Sequence, residues 1–119
     1  MTEKSHKALI KIIDHCDKIQ KYIAGFTLEQ FTDDNRTQDA VVFNLSQIGE
    51  LVRFIDNDVQ TTHLQVNWSA MRGMRNHIIH DYDHVKPGVI WSTIKNDLPV
   101  LKMELQELAD QKVNETDGK

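Results

Sequence analysis

A chain of 119 residues, 39% hydrophobic and 27% charged, is long enough for one domain with its own core, and no apolar run approaches the roughly 18 residues of a membrane span. The formal net charge of −4 excludes a broad electrostatic clamp on nucleic acid, which needs a basic surface; any such contact has to be local, or built by joining two copies of a small basic site. Cys16 is the only cysteine, which excludes intramolecular disulfides and makes a reducing cytoplasm the natural setting.

The first six residues lead straight into an amphipathic pattern and contain no signal-peptide core. Leu9, Ile12, Ile13, Cys16, Ile19 and Ile23 recur at helical spacing, so a first long helix is expected over about residues 5–24, ending at Gly25. Cys16 falls on that stripe and reads as core, not as a nucleophile. Thr27-Leu28-Glu29-Gln30 has the form of a capping box, expected to start a short helical turn through Phe31. Thr32, Asp33 and Asp34 are N-cap candidates for the element that follows.

A second long helix is expected over about residues 35–56. Val41, Leu45, Ile48, Val52 and Ile55 form its main stripe, and Ala40, Phe43, Leu51 and Phe54 widen it. An apolar face that wide needs two neighbours, either two helices of this chain or one helix and a second subunit. Gly49, in the middle, costs about 1 kcal/mol relative to Ala. It marks a close helix approach or is simply tolerated, and the sequence leaves both open.

Residues 57–67 are polar and lack periodicity, so they read as a loop. A third helix should begin near Trp68 and Ser69, carry Trp68, Met71, Ile78 and Ile79 inward, and fray around Asp81, Tyr82 and Asp83. Pro87 suits the first turn of a fourth. The stripe Ile90, Ile94, Leu98, Leu101, Leu105, Leu108 runs past Pro99, which implies a kink there, or a break with Asp97 recapping. A domain over residues 1–112 and a disordered tail over 113–119 complete the chain. No segment alternates long enough to be a strand. The expected fold is all-α: an up-and-down four-helix bundle with one short extra helix.

Chemistry concentrates in Arg75-Asn76-His77-Ile78-Ile79-His80-Asp81-Tyr82. Cutting RNA through its 2′-hydroxyl needs one group to take a proton, one to give a proton, and positive charge near the phosphorane-like transition state. An imidazole, with an unperturbed pKa near 6.5, serves either proton role. An arginine keeps its charge and meets phosphate oxygens through a planar fork. Asn76 stands four residues before His80, close enough on a helix to orient its ring. This route needs no metal and no cofactor. At about 100° per residue, positions 75 and 82 share a helix face while position 80 lies roughly 140° from 75. The groups converge only if the helix loosens near His80 or a second chain supplies the missing partner.

Arg75, four residues, His80, one residue and Tyr82 reproduce the Arg-x4-His-x-Tyr signature of HEPN-domain ribonucleases. Trp68 ahead of residues 71–76, the run Ile48-Gly49-Glu50, and Val89-Ile90-Trp91 with Ile94 to Pro99 and Leu101 resemble the HepT toxin branch. The resemblance runs from about Ser5 to Leu108. It implies an HEPN-like helical homodimer whose motifs face each other across a cleft, with Arg75 and His80 as the catalytic pair of a metal-independent endoribonuclease acting on transfer or messenger RNA. Asn76 matches the polar residue that often follows the arginine. It also implies a type VII-like toxin–antitoxin pair, in which a minimal nucleotidyltransferase antitoxin of the MntA type transfers AMP to the motif tyrosine, here Tyr82. Two copies of Arg72, Arg75 and Lys86 around one cleft would give local positive charge on an acidic protein.

Two other readings compete. His77, His80 and His84 at i, i+3, i+7, with Asp81 among them, have the spacing of helical metal ligands, but no cysteine or second acidic cluster completes a shell. The chain could instead be a non-catalytic helical partner, or a nucleotide-binding module, of a nucleotidyltransferase. Glu50 is a weaker site candidate, and a solvated glutamate is its simpler reading.

Overall fold

The computed structural model describes the backbone of residues 1–81 and 85–111 and the side chains of residues 1–76 and 85–111. Every regular element among them is helical. Thr2 starts α1 (Glu3–Tyr22) by accepting from the Ser5 N–H at 3.1 Å, and Gly25, at φ 78°, turns the chain where an L side chain would be strained. The capping box forms as expected. Thr27 Oγ1 accepts from the Gln30 N–H and Gln30 Oε1 from the Thr27 N–H, which starts α2 (Leu28–Thr32). Asp34 is the cap among its three candidates, accepting from the Thr37 N–H at 2.9 Å at the start of α3 (Asn35–Leu51).

The expected single helix over 35–56 stops early. After Leu51 the chain tightens into a 3-10 turn, Val52–Phe54, and Ile55 is extended. Ile55 is still buried, but Phe43 is 59% exposed and Phe54 40%, so none of the described residues covers these two positions of the widened face. The polar stretch that followed is not all loop, because α4 (Asn57–Thr62) forms there. Six residues burying one side chain, Val59, leave no periodicity to detect.

α5 (Trp68–Asp81) begins where expected, with Asn67 Oδ1 accepting from the Ala70 N–H and the Trp68 indole donating to the His63 carbonyl. Trp68 and Met71 are buried, and the backbone is still helical at Asp81, where fraying was expected; the side chains of Ile78 and Ile79, residues 82 and 83 and the tail at 113–119 lie outside what is described. Pro87 opens α6 (Pro87–Ser92), and α7 (Leu98–Ala109) follows. Between them lies a widened π turn, Thr93–Asp97. Pro99 has no N–H to give, and the wide turn absorbs the missing bond while keeping the helical path. Asp97 does not recap: its backbone is helical and its side chain makes no capping bond.

Side-chain ties show α1 antiparallel to both α3 and α7. His15 bonds Asn44 and Ser5 bonds the backbone of Asp56, while His6 reaches the Ala109 carbonyl and Lys102 pairs with Asp17. The core between them holds Leu9, Ile12, Cys16 and Ile19 from α1, Val41, Leu45 and Ile48 from α3, and Leu98, Leu105 and Leu108 from α7. Each such aliphatic contributes about 1.5–3 kcal/mol by leaving water. The buried polar groups are satisfied: Gln38 donates to the carbonyls of Phe31 and Thr32, and Asn44 to that of Ala40. No described helix is long and apolar enough to cross a membrane. The fold is an all-α bundle.

Candidate active site

Gly49 decides how α3 meets α5. A Cβ at this position would stand 2.6 Å from the Met71 carbonyl oxygen, 2.7 Å from Arg75 Cβ and 2.8 Å from the Arg75 nitrogen. Two of those neighbours are backbone, so no side-chain rotation could make room. Of the two readings of Gly49, close approach is the one that holds.

The next residue uses that approach. Arg75 Nε donates to Glu50 Oε2 at 2.8 Å, and Glu50 Oε1 accepts from Arg53 one helical turn on. Three consecutive residues thus divide the work: Ile48 is fully buried, Gly49 lets the helices touch, and Glu50 holds the arginine. Glu50 is therefore not merely solvated. Its carboxyl is held below the usual carboxylate range, chiefly by the hydrogen bond from Arg53, with the charges of Arg75 and Arg53 adding and desolvation opposing.

Arg75 keeps 45% of its side chain exposed, and its Nη1 donates to Asn76 Oδ1 at 3.2 Å. Sequence reasoning paired Asn76 with His80; here its amide oxygen faces the arginine. Arg72, one turn earlier, donates to Gln60 Oε1 on α4 and is also exposed. With one carboxylate shared between Arg53 and Arg75, the cluster keeps net positive charge and can meet an anion.

The backbone of His80 belongs to α5, while its side chain and all of Tyr82 lie outside what is described, as do the side chains of the His77, His80, Asp81 and His84 set. α5 runs unbroken from Trp68 to Asp81, so positions 75 and 80 stand roughly 140° apart around one axis. Loosening of the helix before His80, one of the two routes to convergence, is not what the backbone does. Cys16 is buried in the core and its thiol is pushed up to about 12, by desolvation first and by Asp17 second, which fits packing and not nucleophilic chemistry.

The Glu50 contact was the part least visible in sequence. Its signal was the glycine beside it, whose helix cost already suggested a crossing.

Comparison with known proteins gives the same direction. Residues 12–108 match the family described as "Ribonuclease HepT-like". The chain is 35% identical over 107 residues to "Probable ribonuclease HepT" of Thermococcus cleftensis, covering 89% of this chain and 97% of that one. It is 31% identical over 97 residues to a "Putative RNase" of Caldanaerobacter subterraneus subsp. tengcongensis, covering 82% and 87%. A "Putative RNase" of Methanocaldococcus jannaschii is 30% identical over 109 residues, covering 91% and 90%. No solved structure matches the chain.

Proposed function

The chain belongs to the HepT-like ribonuclease family, and on that premise we propose that it is a metal-independent endoribonuclease toxin whose site is completed by a second copy. The observation that carries this reading is the intact Arg75-x4-His80-x-Tyr82 sequence motif, with positions 75 and 80 on one helix and the arginine exposed and held by Glu50.

Arg75 neutralises the scissile phosphate and stabilises the charge that builds on its oxygens. One imidazole, His80, takes the proton of the 2′-hydroxyl as its oxygen attacks phosphorus. A second, from the paired copy, protonates the departing 5′-oxygen, leaving a 2′,3′-cyclic phosphate and a 5′-hydroxyl. Asn76 supports the arginine through its amide oxygen.

Pairing is supported by two features. Positions 75 and 80 diverge around an unbroken helix. Phe43, exposed on α3, is seven residues before Glu50 and shares its face, so a partner covering Phe43 would arrive beside the Glu50–Arg75 pair.

Control follows from the same motif. The antitoxin would be a nucleotidyltransferase of the MntA type; the Tyr82 hydroxyl takes AMP from ATP and pyrophosphate leaves. The added bulk and charge then block the cleft to RNA.

The deciding experiment expresses the chain alone and with a cognate nucleotidyltransferase, comparing RNA integrity and intact mass. RNA is expected to be cut by the chain alone in excess EDTA, with cyclic-phosphate ends. Co-expression should add one AMP at Tyr82 and stop cleavage. Intact RNA in the first arm would end the nuclease reading; AMP elsewhere would end the Tyr82 assignment.

A further inference from the structure

An acidic protein that cuts RNA has to hold the strand somewhere, and the described surface offers one continuous basic path. Lys4, Lys7 and Lys11 stand at i, i+3, i+7 on α1, so they share a face, are all exposed, and span roughly 10 Å of helix axis. They line a groove of about 630 Å3 whose other wall includes Leu51 and Phe54. The Phe54 ring, 40% exposed, has Lys4 Nζ at 5.6 Å and Arg53 Cζ at 5.2 Å from its centroid. Arg53 in turn shares Glu50 with Arg75. Lys4 and Arg53 thus meet at the Phe54 ring, and Arg53 and Arg75 are joined through the Glu50 carboxylate.

Two acidic residues also line the groove, Glu3 and Asp56. Asp56 is already engaged: its Oδ2 accepts from the Thr2 hydroxyl at 2.6 Å and its N–H donates to Ser5 Oγ at 2.8 Å. Counting Glu3, Glu50 and Asp56 against Lys4, Lys7, Lys11, Arg53, Arg72 and Arg75 still leaves an excess of cations, on a chain whose overall charge is −4.

We infer that this path is a binding track for single-stranded RNA, with Lys4, Lys7 and Lys11 on successive phosphates and a base against Phe54, leading the strand to Arg75. Cations along one line with an exposed ring among them are what single-strand binding uses. The inference rests on the ribonuclease reading for the identity of its ligand and extends it to residues on other elements.

The test uses the full chain and a mixed-sequence single-stranded RNA, 2′-O-methylated so that it cannot be cut, with anisotropy measured at several salt concentrations. Lys4, Lys7 and Lys11 are changed together to Ala, with a control that changes Lys18, Lys21 and Lys95 instead. Each single-strand phosphate contact contributes about 0.7 to the salt slope, so the track variant should lose about 2 from it and bind more than tenfold more weakly, while the control stays near the native protein. Phe54→Ala should weaken binding roughly tenfold, and Phe54→Trp should restore it. An unchanged slope in the track variant, or equal losses in track and control variants, would overturn the inference. So would polyglutamate outcompeting RNA of equal charge, which would mark a protein-docking face. A chain that cuts RNA but binds it without these lysines would lose the track alone. A chain that binds through them but cuts nothing would lose the nuclease reading alone.

Discussion

Arg75 and Glu50 face each other across a helix crossing so close that only a glycine fits beside them, with Nε and Oε2 2.8 Å apart. An exposed ion pair of this kind adds little to stability. Its value is in direction: with Nε committed to Glu50, the outer nitrogens of the guanidinium are left for Asn76 and, in the proposed reaction, for a phosphate.

Glu50→Gln should therefore lower kcat about tenfold while leaving the melting temperature nearly unchanged. Steady-state cleavage and thermal unfolding check this together. The pair also has an acid limit. Glu50 titrates below its ordinary 4.5, so its contribution is present above that pH and disappears as pH falls through the lowered value. Cleavage by the native protein should show no loss assignable to Glu50 above about pH 5.

Gly49→Ala should destabilise the fold by about 1–3 kcal/mol despite the better helix propensity of alanine, because the new methyl meets backbone and not a movable side chain. Denaturant unfolding gives the number. Activity should fall further than Glu50→Gln alone, since parting the helices separates the pair.

Phe43→Ser should weaken self-association with little cost to the monomer, since the ring lies 59% exposed outside the core. Light scattering is expected to find a native dimer and a variant that dissociates at micromolar concentration, with cleavage falling in parallel. A native monomer that still cuts RNA would refute the shared site.

His80→Ala and Arg75→Ala should each reduce cleavage by at least about 100-fold, in keeping with the loss of a positioned proton carrier or of a phosphate-binding charge. The two variants should separate by pH profile. His80→Ala should change the shape of the profile by removing the proton carrier, whereas Arg75→Ala should keep its shape at a lower level. Circular dichroism should match the native protein in both.

The helical bundle was legible because its long elements each bury one regular stripe, and caps such as Thr27 with Gln30 and Asp34 with Thr37 carry local signatures. Sequence failed where local and tertiary demands diverge. α4 buries too little for a period to appear, and Phe43 and Phe54 extend a stripe that the described residues leave exposed. At Pro99 the expected kink or break is a widened turn, because the chain could keep its leucines inward by redistributing one missing bond over several residues. The site divided the same way. Arg75 and its neighbours announced themselves as a motif, whereas Glu50 gained its role only from which helix lies across it.

Cys16, the single thiol, sits sealed in the middle of α1. Because this position opens only when the helices around it come apart, its alkylation clock should run at the speed of global opening, not of local breathing. The protein thus carries a built-in gauge of cooperativity: a maleimide mass shift, followed over time with and without a bound nucleic acid, would measure how firmly a ligand locks the bundle.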